Sequence, residues 1–308
     1  YGNRCTAGSM WNNYLPNPHF VESFETATGE KFNWDNYLPG YSAMKEKERV
    51  VFFLRDGLSA AEKERMAAYG ADMNKYLDSG NEARIKKAYE SRDPRLQMAV
   101  ITPYAQYNGA SSGIAHTYTL RWPYRGSDSA EPFDIRTDTN DKFYYLWRKF
   151  VPEGLEQTER DTYGLDIPLI RYAEVLLLKA EALNEWGSTH ESEAIRCVNE
   201  VRRRAGHVEL NNATYPATKV NGQSDLRERI RNVYYWEIGG EDSMYFHELR
   251  WGTWKDKKFD NNRNGLMQMW GETTYTWYWL GDQCWSWPIP AKEMEMNSNL
   301  EQNEGWIN

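Results

Sequence analysis

Apolar residues recur every three or four positions from Leu169 onward, at Tyr172, Ala173, Leu176, Leu177, Ala180 and Leu183. At 3.6 residues per turn they share one face, while Arg171, Glu174, Glu181 and Glu185 lie largely off it. The spacing predicts a helix opening at Pro168, whose fixed φ suits a first turn, and closing at Gly187. A second helix is predicted from about Glu191 to Ala205, with Ala194, Val198, Val201 and Ala205 inward and Gly206 as its cap. A third begins near Ser224 or Asp225 and carries Leu226, Ile230 and Val233 on one face. The stretch IGGEDS (Ile238 to Ser243) interrupts it before the aromatic MYFHELRWGTW. Two antiparallel helices joined by a short turn, then another, are the pattern of a tetratricopeptide-type repeat.

The rest of the chain is less regular. Tyr1 to about Tyr41 is rich in Asn, Pro, Gly and aromatics and predicts loops with short extended pieces. Residues 59–79 predict a helix with Gly70 as a break, and NEARIKKAYESRDPRL predicts another ending before Pro94. LQMAVITPY (Leu96 to Tyr104) and KFYYLWRKF (Lys142 to Phe150) predict strands, with loop between them.

Composition narrows the function classes. A net charge of −8 argues against a nucleic-acid backbone as partner, and the basic run in NEVRRRAGH reads as a solvated helix end. No apolar run approaches the roughly 18 residues needed to span a bilayer. Three cysteines, Cys5, Cys197 and Cys284, exclude a disulfide framework and any CxxC metal or redox motif. The aromatic share is 15%, with 14 Trp and 21 Tyr, a surplus that suits wet recognition surfaces as well as core filling.

Catalytic signatures are missing. There is no G-x-S-x-G elbow, and HELRW at His247 has Trp251 where a zinc motif needs its second histidine. In DNNRNG, Asp260, Asn262 and Asn264 alternate before a glycine as in a calcium loop. The closing carboxylate position, however, is Gly271, so a polar turn is the preferred reading. The sequence therefore calls for no catalytic residue, no cofactor and no metal.

Motifs in order along the chain resemble the SusD/RagB-like family of outer-membrane nutrient-binding proteins. DIPLIRYAEVLLLKAEALNEWG and EAIRCVNEVRRRAG resemble its helix pair, and NPHFVESFETATGEKF the opening of its C-terminal half. SRDPRL, YYLWRKF, LRERI with Glu237, Glu241, Tyr245, Phe246 and Trp251, and the closing WPIPAKEMEMNSNLEQNEGW follow in sequence. Two positions depart from the pattern: Val233-Tyr234-Tyr235 stands where the family has Glu-Arg-Arg, and Asp242-Ser243-Met244 where it has a Gly-x-Arg turn. The family's long N-terminal segment and lipid-bearing cysteine have no counterpart here. The chain therefore reads as a C-terminal half, with Cys5 no lipidation site and any lipid anchor outside this chain.

The resemblance implies a mainly α fold with tetratricopeptide-type helix pairs, extensive loops and a few short strands. It divides the chain into a loop-rich ligand-side region (14–160), repeat helices (166–252), and an aromatic loop with a closing segment (253–308). It further implies a non-enzymatic, surface-exposed protein that binds a glycan and passes it to a SusC-like TonB-dependent transporter of the outer membrane. Peptide capture within the same family, or a helical-repeat interaction scaffold, are the alternatives.

Sugar rings lie against indole or phenol faces while amides and guanidiniums bind their hydroxyls, so loops coupling aromatics with amides are the candidates. Four qualify: MWNNYLPN, FNWDNYLPGY, RWPYRG and MQMWGETTYTWYW. They nominate Trp11, Trp34, Trp270, Trp277 and Trp279 as ligand contacts, each with a core role as its rival. Trp277 and Trp279 are placed on one face of a strand, with Tyr278 opposite. Trp285 and Trp287, alternating into Pro288-Ile289-Pro290, are read as a structural strand anchoring the chain end.

Overall fold

The computed structural model describes residues 5–6, 14–111, 113–126, 130–137, 142–154, 166, 168–241, 243–259 and 265–306. The chain forms two compact units, Tyr1–Glu241 with Met267–Glu272, and Asp242–Leu266 with Thr273–Asn308. In chain order the first unit carries α1 (Ala60–Tyr69), α2 (Asn81–Glu90), β1 (Val100–Ile101), β2 (Gln106–Ser111), β3 (Ile114–Thr119) and β4 (Leu146–Trp147). It continues with α3 (Tyr172–Trp186), α4 (Glu191–Arg204) and α5 (Gln223–Ile238). The second unit carries α6 (Ser243–Trp251) and β5 (Thr273–Tyr275).

Helices α3, α4 and α5 pack on one another as their periodicity predicts. Leu176, Leu177, Ala180 and Leu183 of α3 meet Ala194, Val198 and Val201 of α4 and Leu226, Ile230 and Val233 of α5, all buried. Side chains three and four apart form a continuous stripe, and its removal from water drives the packing. The start of α3 needs correction: it opens at Tyr172, and Leu169 and Ile170 are 90% and 74% exposed. Arg171 has extended backbone, with its guanidinium held by Glu237 at 2.8 Å and Glu241 at 2.6 Å. At the other end of the triplet, α5 stops where Gly240 takes a left-handed φ of 82°.

The loop-rich part of the first unit is organised differently. In α1, Ser59 accepts from the Glu62 amide while the Glu62 carboxylate takes the Ser59 N–H at 2.9 Å. Gly70 then ends the helix at φ 115°, a value that costs glycine little. The expected strands shrink to two residues each, β1 pairing antiparallel with β4 through Val100↔Trp147 and Ile101↔Leu146. Leu96 to Ala99 is instead the end of a short helix opening behind Pro94. The segment predicted as loop contains an antiparallel hairpin, β2 with β3, in register Gln106↔Thr119 to Ser111↔Ile114.

Between these elements, buried side chains satisfy backbone groups that no ladder reaches. Arg92, 3% exposed, donates to the carbonyls of Val21 (2.9 Å), Phe24 (2.6 Å), Glu22 (3.3 Å) and Ala88 (3.4 Å). Its guanidinium also lies 3.5 Å from the Phe32 ring centroid. Burial pushes its pKa down to about 10, which leaves it charged at neutral pH. Asn81 donates to Val51 and Leu54 carbonyls at 2.9 and 2.6 Å, and Arg55 to Pro123 and Gly57 at 3.2 and 3.1 Å. A buried carbonyl without a partner costs about 1–3 kcal/mol, so these side chains define the loop paths.

A second polar device joins SRDPRL to the helices. Arg95 pairs with Asp93 at 2.5 Å and Glu237 at 3.5 Å; Glu237 also receives Arg171 and, at 2.6 Å, Arg204. Glu25 receives Arg202 at 2.8 Å and His207 at 3.1 Å. Burial alone raises these carboxyls, but their partners outweigh it. The Arg171 hydrogen bond and neighbouring arginines hold Glu237 below its ordinary range, Arg95 does so for Asp93, and His207 and Arg202 for Glu25. The departure Val233-Tyr234-Tyr235 puts Val233 and Tyr234 fully inside the helix stack. All three cysteines are free thiols.

Candidate functional site

The nominated tryptophans separate on burial. Trp34 sits in a short helical turn, Trp34–Asn36, at 6% exposure. Its Nε1 donates to Glu22 at 2.7 Å, and its ring stacks on Tyr41 at 4.7 Å between the edges of Phe53 and Tyr89. Trp270 is 1% exposed, donates to Glu272 at 2.9 Å, and packs among Phe53, Trp122 and Phe143. Neither ring has a face to offer a sugar, so both nominations are corrected to core positions. Their indole N–H groups explain the placement, since each is buried beside a glutamate that accepts it. Trp11 lies outside the described residues, as do Asp260, Asn262 and Asn264. Among the described residues no group of three His, Cys, Asp or Glu side chains could hold a metal ion.

In the second unit the expected division of four tryptophans into two pairs does not hold. Strand β5 ends at Tyr275, so Trp277 and Trp279 do not share a strand face. Trp277 is 43% exposed. Trp279 packs against Phe259 at 5.2 Å and Trp285 at 5.3 Å, with its N–H on Asp282 at 3.2 Å. Trp285 closes a 3-10 turn, Asp282–Trp285, while Trp287 is 73% exposed and reaches the Tyr245 hydroxyl at 3.3 Å. The closing anchor is Trp306, whose N–H donates to the carbonyls of Ser286 (2.7 Å) and Gln283 (3.1 Å).

The candidate site lies in the first unit, at RWPYRG. A cavity of about 600 Å³ is walled by Tyr69 at the end of α1 and by Trp122, Pro123 and Tyr124. That volume is typical of pockets for small ligands. Its polar lining is Arg65, Arg136, Lys142 and Gln268. The wall is built by its backbone: Arg55 N–H donates to the Trp122 carbonyl at 2.6 Å, and Arg55 Nε to Pro123. Trp122 is buried, stacked on Phe143 at 5.5 Å and edge-on to Tyr124 at 5.5 Å.

The Tyr124 hydroxyl takes the Thr137 N–H at 2.7 Å and donates to the Lys142 carbonyl at 3.3 Å, tying two segments of the wall together. Behind it, buried Asp134 accepts from Arg121 and from the N–H groups of Arg125 (2.7 Å) and Gly126 (3.3 Å). A Cβ at Gly126 would run into the Pro132 carbonyl, so the turn closes only with glycine. On the opposite side Glu272 accepts from Tyr69, from Gln268 at 2.9 Å and from Trp270 at 2.9 Å. Burial and the Glu272 hydrogen bond raise the Tyr69 pKa, keeping its phenol protonated.

Tyr69, Arg65 and Gln268 come from stretches 52 or more residues away from RWPYRG, which is why pattern alone did not assemble them. RWPYRG itself was legible as an aromatic loop with polar neighbours. Gln268 lies inside a nominated stretch, two residues before Trp270, the more conspicuous side chain there. Arg65 and Tyr69 read as ordinary positions of a surface helix.

Comparisons with known proteins agree with this architecture. The sequence model of the SusD family matches residues 2–306. SusD-like protein P38 of Formosa agariphila is 32% identical over 139 residues, 45% of this chain and 24% of that protein. Starch-binding protein SusD of Bacteroides thetaiotaomicron is 28% identical over 161 residues, 52% of this chain and 25% of its own length. The aligned stretches thus span about a quarter of the curated relatives. Among solved structures, a SusD-like protein from Bacteroides fragilis superposes with a TM-score of 0.57 at 19% identity, covering 95% of this chain and 47% of that one. That likeness shows the fold.

Proposed function

The chain belongs to the SusD family, and from that premise we propose that it is a non-catalytic glycan-capture protein of the cell surface. It delivers its ligand to a SusC-like TonB-dependent transporter and is held to the outer membrane by a lipid anchor outside this chain. Among the described residues no helix is long and apolar enough to cross a membrane. The observation that carries the reading is the cavity at RWPYRG, where Tyr69, Trp122 and Tyr124 stand beside Gln268 and three cationic side chains. Aromatic walls with amide and guanidinium donors match a ring of C–H faces rimmed by hydroxyls. One family relative is named as starch-binding, which supports the ligand class without naming the sugar here.

Trp277, the more exposed of the two nominated tryptophans in the second unit, is proposed as an additional sugar contact. The outer face of α3 and the residues before it expose Leu169, Ile170, Tyr172 and Trp186, which favours a compatible second role in docking a protein.

Isothermal calorimetry of the full-length protein against oligosaccharide and peptide mixtures tests the reading. Enthalpy-driven oligosaccharide binding is expected. Binding of peptides alone would overturn it in favour of peptide capture.

A further inference from the structure

We infer that the cavity takes an acidic oligosaccharide, one carrying carboxylate or sulfate groups. The inference rests on the glycan-capture reading and narrows it. Arg65 on α1, Arg136 and Lys142 all line the same cavity, and among its described lining side chains none is a carboxylate. The chain as a whole carries −8, so its general field repels anions and a local concentration of cations runs against that field.

Among the described residues, two acidic groups bonded to the wall segments are engaged by the protein. Asp134 is taken by Arg121 and two backbone N–H groups, and Glu272 by Tyr69, Gln268 and Trp270. Arg65 forms no ion pair among the described residues and is exposed at the rim. A guanidinium's planar fork matches the two oxygens of a carboxylate or sulfate, and a lysine supplies a point charge. Tyr69, Tyr124 and Gln268 line the same cavity beside these cations and would meet the neutral parts of the same sugar.

The test uses three probes on the full-length protein: an oligogalacturonate, the same oligomer fully methyl-esterified, and a sulfated galactan oligosaccharide beside its desulfated form. Esterification removes charge and keeps the skeleton. The free acid or the sulfated oligomer should bind at least about tenfold tighter than its neutral counterpart. That preference should shrink between ~0.1 M and ~1 M salt, as the screening length falls from about 10 to about 3 Å. Whichever charged probe binds identifies the anion.

Arg65→Gln combined with Lys142→Gln should abolish the preference while leaving the unfolding midpoint in place. The esterification and salt comparisons stand on the unmodified protein should that variant fail to fold. Equal binding of charged and neutral forms would overturn the inference and leave glycan capture intact. No binding of any oligosaccharide would overturn glycan capture itself.

Discussion

The helical triplet of α3, α4 and α5 and the loop-rich segment from 14 to 154 reach burial by opposite routes. In the triplet an apolar stripe recurs along each helix, and the backbone satisfies itself through helical hydrogen bonds. In the loop-rich segment the backbone cannot do so, and arginine and asparagine side chains enter the core to bond carbonyls. The first route tolerates any apolar side chain of suitable volume. The second demands one particular donor geometry.

The largest expected effect comes from breaking the second route. Arg92→Ala leaves buried carbonyls of Val21, Glu22 and Phe24 without their donor and should destabilise the protein by roughly 4 kcal/mol. Arg92→Lys should recover little, because an ammonium cannot reproduce the fork. Chemical denaturation measures both.

Next is Leu177→Ala in the triplet, expected to cost about 3 kcal/mol as a fully buried large-to-small change. Here the conservative Leu177→Met should recover most of the loss, since volume is what the site requires. If lysine rescued Arg92 as well as methionine rescues Leu177, the contrast between the two regions would fail.

Smaller still is the acid response of the ion network. The folded pKa values of Glu25, Asp93 and Glu237 lie below their unfolded values. Their contribution is therefore present above about pH 4, the unfolded range, and is lost as pH falls through the folded values. Glu25→Gln should flatten that acid limb in a melting series and cost about 2 kcal/mol at neutral pH, by weakening the Arg202 hydrogen bond. The smallest effect is Gly70→Ala, about 1 kcal/mol, from forcing a side chain to φ 115° with Lys47 Cβ at 3.2 Å.

The same contrast explains what could be read beforehand. The triplet was legible to within a few residues because 3.6-residue periodicity is a local signal. Its one misplaced boundary is at Arg171, where ion pairs with Glu237 and Glu241 hold the backbone extended, and no local pattern reports such partners. The β2–β3 hairpin was missed because QYNGAS and IAHTYT alternate weakly and the sequence between them, Ser-Gly, is not a strong hairpin dipeptide. The role of SRDPRL showed only as a family motif. Its cause, Arg92 on buried carbonyls and Asp93 with Arg95 beside His207 and Glu237, is tertiary.

The candidate site was half legible. RWPYRG carried the right composition, yet the indoles of Trp34 and Trp270 were more conspicuous and turned inward. Tryptophan buries 150–250 Å², and a nearby carboxylate for its N–H removes the one reason to stay wet. Composition nominates aromatics; only the position of such acceptors separates core from platform.

Whether ligand meets the protein at the RWPYRG cavity can be measured by titrating the full-length protein, Tyr124→Ala and Trp277→Ala with the same bound oligosaccharide, alongside their unfolding midpoints. A cavity site predicts that Tyr124→Ala weakens binding by about tenfold or more, the worth of a good polar and ring contact, while Trp277→Ala changes it by less than about threefold. The reverse order, with Tyr124→Ala folded and binding normally, would contradict it.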